Sequence, residues 1–238
     1  MISALIFAGG TGKRMNSRSK PKQFLEMQGK PIIIYTLEHF ERCDEIDAIY
    51  VVCLADKIDE LQNMIKKYDI TKVKKIISGG ATGHESIYNG ILAMHEEAGN
   101  EDIVLLHDGV RPLIDEDLII KNIESVRKYG NGITVEPAKE SVAMSEDGFT
   151  IQRIPPRQVM YTVKAPQSFF YKEIECLYER AKAENILFWD AASMCNYYNM
   201  PLHMVLSSKN NIKITEPADY YIYRALYEVQ EEQQIFGI

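Results

Sequence analysis

Five cations and no carboxylate fall between Thr11 and Leu25: Lys13, Arg14, Arg18, Lys20 and Lys22. The whole chain carries 27 basic and 34 acidic residues, a formal net charge of -7, so this is a local reversal of sign. The segment follows an apolar run and opens as Phe7-Ala8-Gly9-Gly10-Thr11-Gly12. Glycines let backbone N–H groups come close to an anion, and the cations neutralise it. A triphosphate is the natural occupant; a solvated basic loop is the plain alternative. Spacing excludes two other phosphate loops. There is no Gly-x-x-x-x-Gly-Lys-Ser/Thr run after the first strand, and Met15 stands where a dinucleotide fingerprint needs its third glycine.

Two further segments carry chemistry. Val104-Leu105-Leu106-His107-Asp108-Gly109-Val110-Arg111-Pro112 ends an apolar run in a carboxylate. At a strand end, Asp108 could hold Mg²⁺, which prefers hard oxygen donors, or a substrate hydroxyl. The plain alternative is that it pairs internally with Arg111. Gly79-Gly80-Ala81-Thr82-Gly83-His84-Glu85-Ser86 opens a helical pattern. Ser86 suits a helix N-cap; alternatively, backbone donors and acceptors of the turn could read a pyrimidine edge in a slot too narrow for a purine. The four cysteines form no Cys-x-x-Cys pair, and no histidine has ligand spacing. His107 reads as a buried polar residue beside its strand end. No Gly-x-Ser-x-Gly elbow is present, which argues against a serine hydrolase.

Elements of an α/β fold must position these residues. Apolar β-branched runs at Ala4–Phe7, Ala48–Cys53, Lys75–Ile77, Ile103–Leu106, Gly132–Val135 and Leu202–Leu206 are the expected strands. Helical periodicity is expected over Pro31–Arg42, Lys57–Tyr68, Ser86–Glu97, Glu116–Tyr129, Lys172–Glu184, Asp190–Tyr198 and Pro217–Gln230. The alternation predicts a mostly parallel sheet in a single domain over 1–238, with Pro31 at the N1 position of its helix. The basic segment then lies at the carboxyl end of the first strand, where open α/β sheets bind ligands. Between Pro137 and Pro166 four prolines and no helical pattern suggest an extended β-arm, at about 137–165, that leaves the sheet and returns at Val163. Its apolar residues need cover, and packing on a second subunit would supply it. No apolar run reaches the length of a membrane span, the first ten residues lack signal-peptide features, and the acidic balance argues against nucleic acid. A cytoplasmic, reduced setting is expected.

The run Ala8-Gly9-Gly10-Thr11-Gly12-Lys13-Arg14-Met15, followed by Pro21-Lys22-Gln23-Phe24, resembles the signature of nucleotidyltransferases that make nucleoside-diphosphate sugars and alditols. Pro-Lys-Gln-Phe is similar to the cytidylyltransferase branch, which includes the 2-C-methyl-D-erythritol 4-phosphate and ribitol-5-phosphate cytidylyltransferases. His107-Asp108-Gly109-Val110-Arg111-Pro112 and the 79–86 turn resemble later motifs of that family. Departures occur where its arginine is Gly83 or His84 and where its Thr-Pro-Gln is Ala165-Pro166-Gln167. Its Asp-Thr corresponds to Glu140-Ser141. The resemblance runs from Ala4 to the last helix.

The resemblance implies a Rossmann-like three-layer nucleotidyltransferase fold whose protruding β-arm forms a homodimer. It implies transfer of CMP from CTP to a sugar-alcohol phosphate with Mg²⁺ as cofactor. The catalytic residues would be Arg14, Lys22, Arg157 and Lys213. Phe7, Ala8, Gly9, Gly10, Thr11, Gly12, Gly80, Ala81, Ser86 and Asp108 would bind the nucleotide, with Asp108 also the metal ligand. Arg111, Ser141, Arg157 and Lys213 would hold the acceptor, Arg157 reaching over from the partner's arm. Met160-Tyr161 and Gly29-Lys30-Pro31-Ile32 look more like the ribitol-phosphate enzymes, whereas Asp190-Ala191-Ala192-Ser193 looks more like the methylerythritol enzymes. Transfer from UTP or GTP to a hexose phosphate is a third possibility. A non-catalytic nucleotide-binding subunit is a fourth, although it would have lost a cation at 14 or 22 and both are present.

Overall fold

A computed structural model describes residues 1–10, 20–208 and 210–236. Strand β1 (Ile2–Ala8) lies at the middle of a seven-stranded sheet. The chain continues through the two-residue strands β2 (Glu26–Met27) and β3 (Lys30–Pro31) to α1 (Ile32–Arg42), β4 (Ala48–Cys53), α2 (Ile58–Lys67), β5 (Val73–Ser78), α3 (Gly83–Leu92) and β6 (Ile103–Asp108). It then forms α4 (Glu116–Tyr129), β7 (Asn131–Pro137), β8 (Tyr161–Phe170), α5 (Tyr171–Ala183), α6 (Ala191–Tyr197), β9 (Met204–Leu206) and α7 (Pro217–Phe236). The sheet order is β5-β4-β1-β6-β8-β7-β9. Among these strands β8 alone runs against its neighbours, antiparallel to both β6 and β7.

Alternation along the strands builds the layers. Ala4 and Ile6 of β1 face one side, where they join Ile33 and Phe40 of α1, Leu61 of α2 and Ile123 of α4 in a core. Leu5 faces the other side, with Ile91 of α3, Ile174 and Tyr178 of α5 and Met194 of α6. Strands buried on both faces read as near-continuous apolar runs, which is why β1, β4 and β6 were legible as sequence. A third cluster seats α7 against the α1 region through Ile32, Tyr35, Ile214 and Tyr223.

The structure corrects several boundaries. Pro31 is the N-cap of α1, with ψ of 142°, rather than its first helical residue. Helix α3 begins at Gly83, capped by Thr82 in a reciprocal capping box with Glu85, so Ser86 lies inside the first turn and is not the cap. The stretch after Leu92 is a series of turns instead of helix.

The arm is less regular than a β-ribbon: its one bridge joins Met144 to Arg153. At its tip, Asp147 Oδ1 accepts from the Phe149 and Thr150 N–H groups at 2.8 and 2.7 Å, with Gly148 at φ 71°. Strand β8 resumes at Tyr161, paired with Pro137, two residues earlier than expected, and it runs inside the sheet. Pro166 in its middle falls where the pairing with β7 changes register, between Ile133 and Val135. A missing N–H costs no ladder bond at such a break, and proline is therefore tolerated away from an edge.

Candidate active site

Strands β1 and β6 are paired so that Phe7 lies beside Asp108, which brings the end of the first strand to the strand-terminal carboxylate. The Gly109 N–H donates to the Phe7 carbonyl at 2.8 Å. A Cβ at Gly109 would stand 2.6 Å from Ile33 Cδ1, so this close approach excludes even alanine without a shift.

Asp108 is clasped from both sides. Arg111 Nε donates to its Oδ2 at 2.8 Å, and Lys213 Nζ to its Oδ1 at 2.6 Å. Burial would push this carboxyl up, but Lys213 and Arg111 pull it well below the usual carboxylate range. The internal Asp108–Arg111 pair considered as the plain alternative is therefore present, and Lys213 is added to it from a hundred residues away. His107 beside it is fully buried, its ring tilted at 58° against Phe40 with centroids 5.2 Å apart, and burial lowers its imidazole to about 3. It is a neutral structural group, as expected.

A cleft of about 150 Å³ opens over this cluster, lined by Phe7, Asp108, Arg111 and Lys213 together with Lys164, Gln167, Trp189 and Asp190. Of the last four, the sequence marks Gln167 and Asp190 only as parts of motifs, and it does not mark Lys164 and Trp189 at all. Lys164 pairs with Glu136 and donates to the Asn211 carbonyl at 2.9 Å, an oxygen that also accepts from Arg111 Nη1 at 3.1 Å. Asn211 is fully buried and its Nδ2 donates to Ala165 O at 2.7 Å, fixing the segment that carries Lys213 onto β8. The signal that could have found this hub was Asn211 itself, an amide that opens the alternating Asn211-Ile212-Lys213-Ile214 run two residues before Lys213.

The glycine turn meets β1 through Ser86. Its Oγ donates to Thr82 O at 2.8 Å and accepts from Gly80 N at 3.0 Å, and Gly9 lies against it. Gly80 must be glycine, because a Cβ there would sit 2.4 Å from Glu85 Cβ. Glu85 Oε2 accepts from the N–H groups of Ala81 and Thr82 at 2.7 and 3.2 Å. The N–H groups of Gly80, Ala81 and Thr82 are thus bonded within the turn.

Lys22 opens a short 3-10 turn, Lys22–Phe24. The next side chain, Gln23, is buried and its Nε2 donates to Ala8 O at 2.5 Å and Gly10 O at 3.3 Å, tying Lys22 to the mouth of β1. Lys22 also contributes to the field at Asp219, whose carboxylate caps α7 through Thr215 and Glu216. Arg14, Thr11 and Gly12 lie outside the described residues. Arg157 and Ser141 are exposed in the arm, where Arg157 donates to Lys139 O at 3.3 Å, and within one subunit neither joins the cleft.

No cluster of three or more metal-binding side chains occurs among the described residues. Asp108 offers a carboxylate that Lys213 and Arg111 keep ionised at neutral pH, which suits an ion that takes its remaining ligands from substrate phosphates and water, as Mg²⁺ commonly does.

The sequence profile of the 2-C-methyl-D-erythritol 4-phosphate cytidylyltransferase (IspD) family matches residues 2–228. The chain belongs to this family. It is accordingly a CTP-dependent nucleotidyltransferase. It is 42% identical to a ribitol-5-phosphate cytidylyltransferase of Streptococcus agalactiae serotype Ia, over the full length of both chains. It is 37% identical to a 2-C-methyl-D-erythritol 4-phosphate cytidylyltransferase of Geobacter metallireducens, over 94% of this chain and 96% of that one. The fold matches the crystal structure of 4-diphosphocytidyl-2C-methyl-D-erythritol synthase from Anaerococcus prevotii, with a TM-score of 0.82 and 29% identity over 95% and 96% of the two chains. The three-layer cytidylyltransferase fold inferred from the motifs is the one observed. No helix among the described residues is long and apolar enough to cross a membrane.

Proposed function

We propose that this cytidylyltransferase transfers CMP from CTP to ribitol 5-phosphate, giving CDP-ribitol and pyrophosphate. The observation that carries the proposal is the Asp108 clasp at the ends of β1 and β6, in a cleft whose far wall is polar and cationic. The 42% full-length identity to a ribitol-5-phosphate enzyme supports this acceptor. The capped Asp190-Ala191-Ala192-Ser193 segment on the cleft wall keeps 2-C-methyl-D-erythritol 4-phosphate as the second reading.

In the reaction an oxygen of the acceptor's phosphate bonds to the α-phosphorus of CTP while the bond from that phosphorus to the pyrophosphate oxygen breaks. The nucleophile is already ionised, so no strong base is required. The difficulty is to bring two anions together and to stabilise charge on the phosphoryl oxygens. Lys22 and Arg14 neutralise the triphosphate beside the β1 mouth, against Gly9, Gly10 and the Ser86 turn. Lys213, held at Asp108 and still 40% exposed, is placed to exchange that partner for the acceptor phosphate. Magnesium, bound through Asp108 and the substrate phosphates, would supply further charge neutralisation. Arg157 and Ser141 complete the acceptor site from the arm of a second subunit. That homodimer is supported by the arm's exposed apolar residues, among them Phe149 (94% exposed), Ile151 and Ile154. Four unpaired cysteines suit a reduced cytoplasmic setting.

The test is pyrophosphate release by purified enzyme given CTP with each acceptor in turn. Faster turnover with ribitol 5-phosphate supports the assignment. A clear preference for 2-C-methyl-D-erythritol 4-phosphate transfers it to the second reading, and turnover with UTP or GTP instead of CTP would remove both.

A further inference from the structure

Trp189 is the chain's single tryptophan, and its side chain is 98% exposed. The backbone on either side of it is anchored. Phe188 packs among His84, Tyr197 and Tyr198, with ring centroids 5.3 to 6.0 Å apart. Asp190 caps α6, its Oδ1 accepting from Ser193 N at 2.7 Å. Helix α6 is tied in turn to β8, where Ala192 N donates to Gln167 Oε1 at 2.9 Å. Two fixed neighbours therefore anchor the backbone that carries the indole, on the wall of the cleft that contains Asp108, Lys164 and Lys213. A large ring facing water forgoes hydrophobic stabilisation until something covers it. Here the surroundings are the polar cleft, so the covering group must combine apolar and hydrogen-bonding surface.

We propose that Trp189 is a specificity-determining platform for the carbon chain of the acceptor, which rests on the polyol-phosphate reading above. A polyol has a C–H surface and a hydroxyl surface. The indole face receives the first, while Asp190, Gln167 and Lys164 receive hydroxyls and Lys213 the phosphate. Flat apolar rings opposite a few polar groups are the usual means of orienting a small ligand. A nucleobase could also stack on an indole, and His84 of the glycine turn touches Phe188; the polar groups beside Trp189 (Asp190, Gln167, Lys164) and the phosphate-binding Lys213 favour the polyol, and the response to CTP alone separates the two.

Because there is one tryptophan, its fluorescence reads this contact directly. The acceptor that supports pyrophosphate release is titrated into the full-length enzyme in the presence of CDP, which permits no turnover. Emission is expected to move from that of water-exposed indole toward shorter wavelength on adding acceptor, and to stay unchanged with CTP, CDP or inorganic phosphate alone. Trp189→Ala should raise KM for the acceptor about tenfold, the scale of a lost aromatic anchor, with kcat and KM for CTP within about twofold. Trp189→Phe should recover most of the loss. Unchanged emission at acceptor concentrations that saturate turnover overturns the proposal. So does a shift on CTP alone, or an indole already buried in the free enzyme under a second subunit's arm. Failure of the underlying reading is separate: no pyrophosphate is then released with either polyol phosphate.

Discussion

Single side chains carry the electrostatics of the cleft. Lys22→Ala removes one preorganised cation from the triphosphate, and kcat is expected to fall by about two to three orders of magnitude. Steady-state turnover near that of the parent enzyme would exclude the role. Asp108 has a folded-state pKa depressed below its unfolded value by Lys213 and Arg111. Its contribution to stability is therefore complete above the unfolded carboxyl range, about pH 4, and is lost only as pH falls through the folded value. Asp108→Asn should accordingly lower the urea midpoint at pH 7 and flatten the acid limb of the stability profile. The histidines act in the opposite part of the range. Burial lowers His39, His84 and His107, the last to about 3. Below about pH 6.5 the unfolded chain takes up protons that the folded one does not, so stability declines as pH drops from 7 toward 4, by on the order of 1 kcal/mol per pH unit for each fully buried group. Replacing His107 by Gln should make that decline shallower in urea titrations at pH 5, 6 and 7.

At the scale of elements, the site depends on how strand ends and turns are spliced. Helix α3 starts where Thr82 and Glu85 cap each other, and the same Glu85 consumes N–H groups of the turn that faces Gly9. Gly80→Ala forces a Cβ into Glu85 and should open this turn. The expected result is a severalfold higher KM for CTP with a smaller change for the acceptor, and equal effects on both would place the turn elsewhere in the reaction. The boundary errors of the sequence reading have the same origin. Ser86 has the right residue type for a cap, yet Thr82 occupies the capping geometry, because both hydroxyls precede the apolar periodicity and only packing of Ser86 against Gly9 and Gly79 selects between them. Strand β8 was expected only as the arm's return at Val163, because Pro166 marks edges in most sheets; a register break inside the sheet accommodates it here.

At the scale of the molecule, one subunit supplies the clasp and the cleft but leaves Arg157 on an arm far from them in function. The arm's exposed Phe149, Ile151 and Ile154 call for a partner surface. Replacing Phe149 and Ile151 together by Asp should give a monomer in light scattering and strongly reduced turnover. Complementation tests the sharing of residues. In a mixed dimer of Lys22→Ala and Arg157→Ala subunits, one site has both lesions and the other has neither if Arg157 acts across the interface. Mixing the two inactive variants should then restore activity; if Arg157 acts within its own chain, both sites stay defective and mixing restores none.

Local chemistry was sufficient to mark the basic segment, Asp108, the glycine turn and the alternating strands, because each depends on residue type and short spacing: anion neutralisation, a strand-terminal carboxylate, side-chain periods of 2 and 3.6. Motif resemblance added Lys213 and Arg157, whose own surroundings in the sequence are unremarkable. What only the tertiary structure decided is which distant segments meet. The clasp joins residues 108 and 213, Asn211 receives both Arg111 and Lys164, and Trp189 of the α5–α6 connection lines the same cleft. Those contacts are set by sheet order and by an antiparallel strand slipped between β6 and β7, and no spacing along the chain encodes that order.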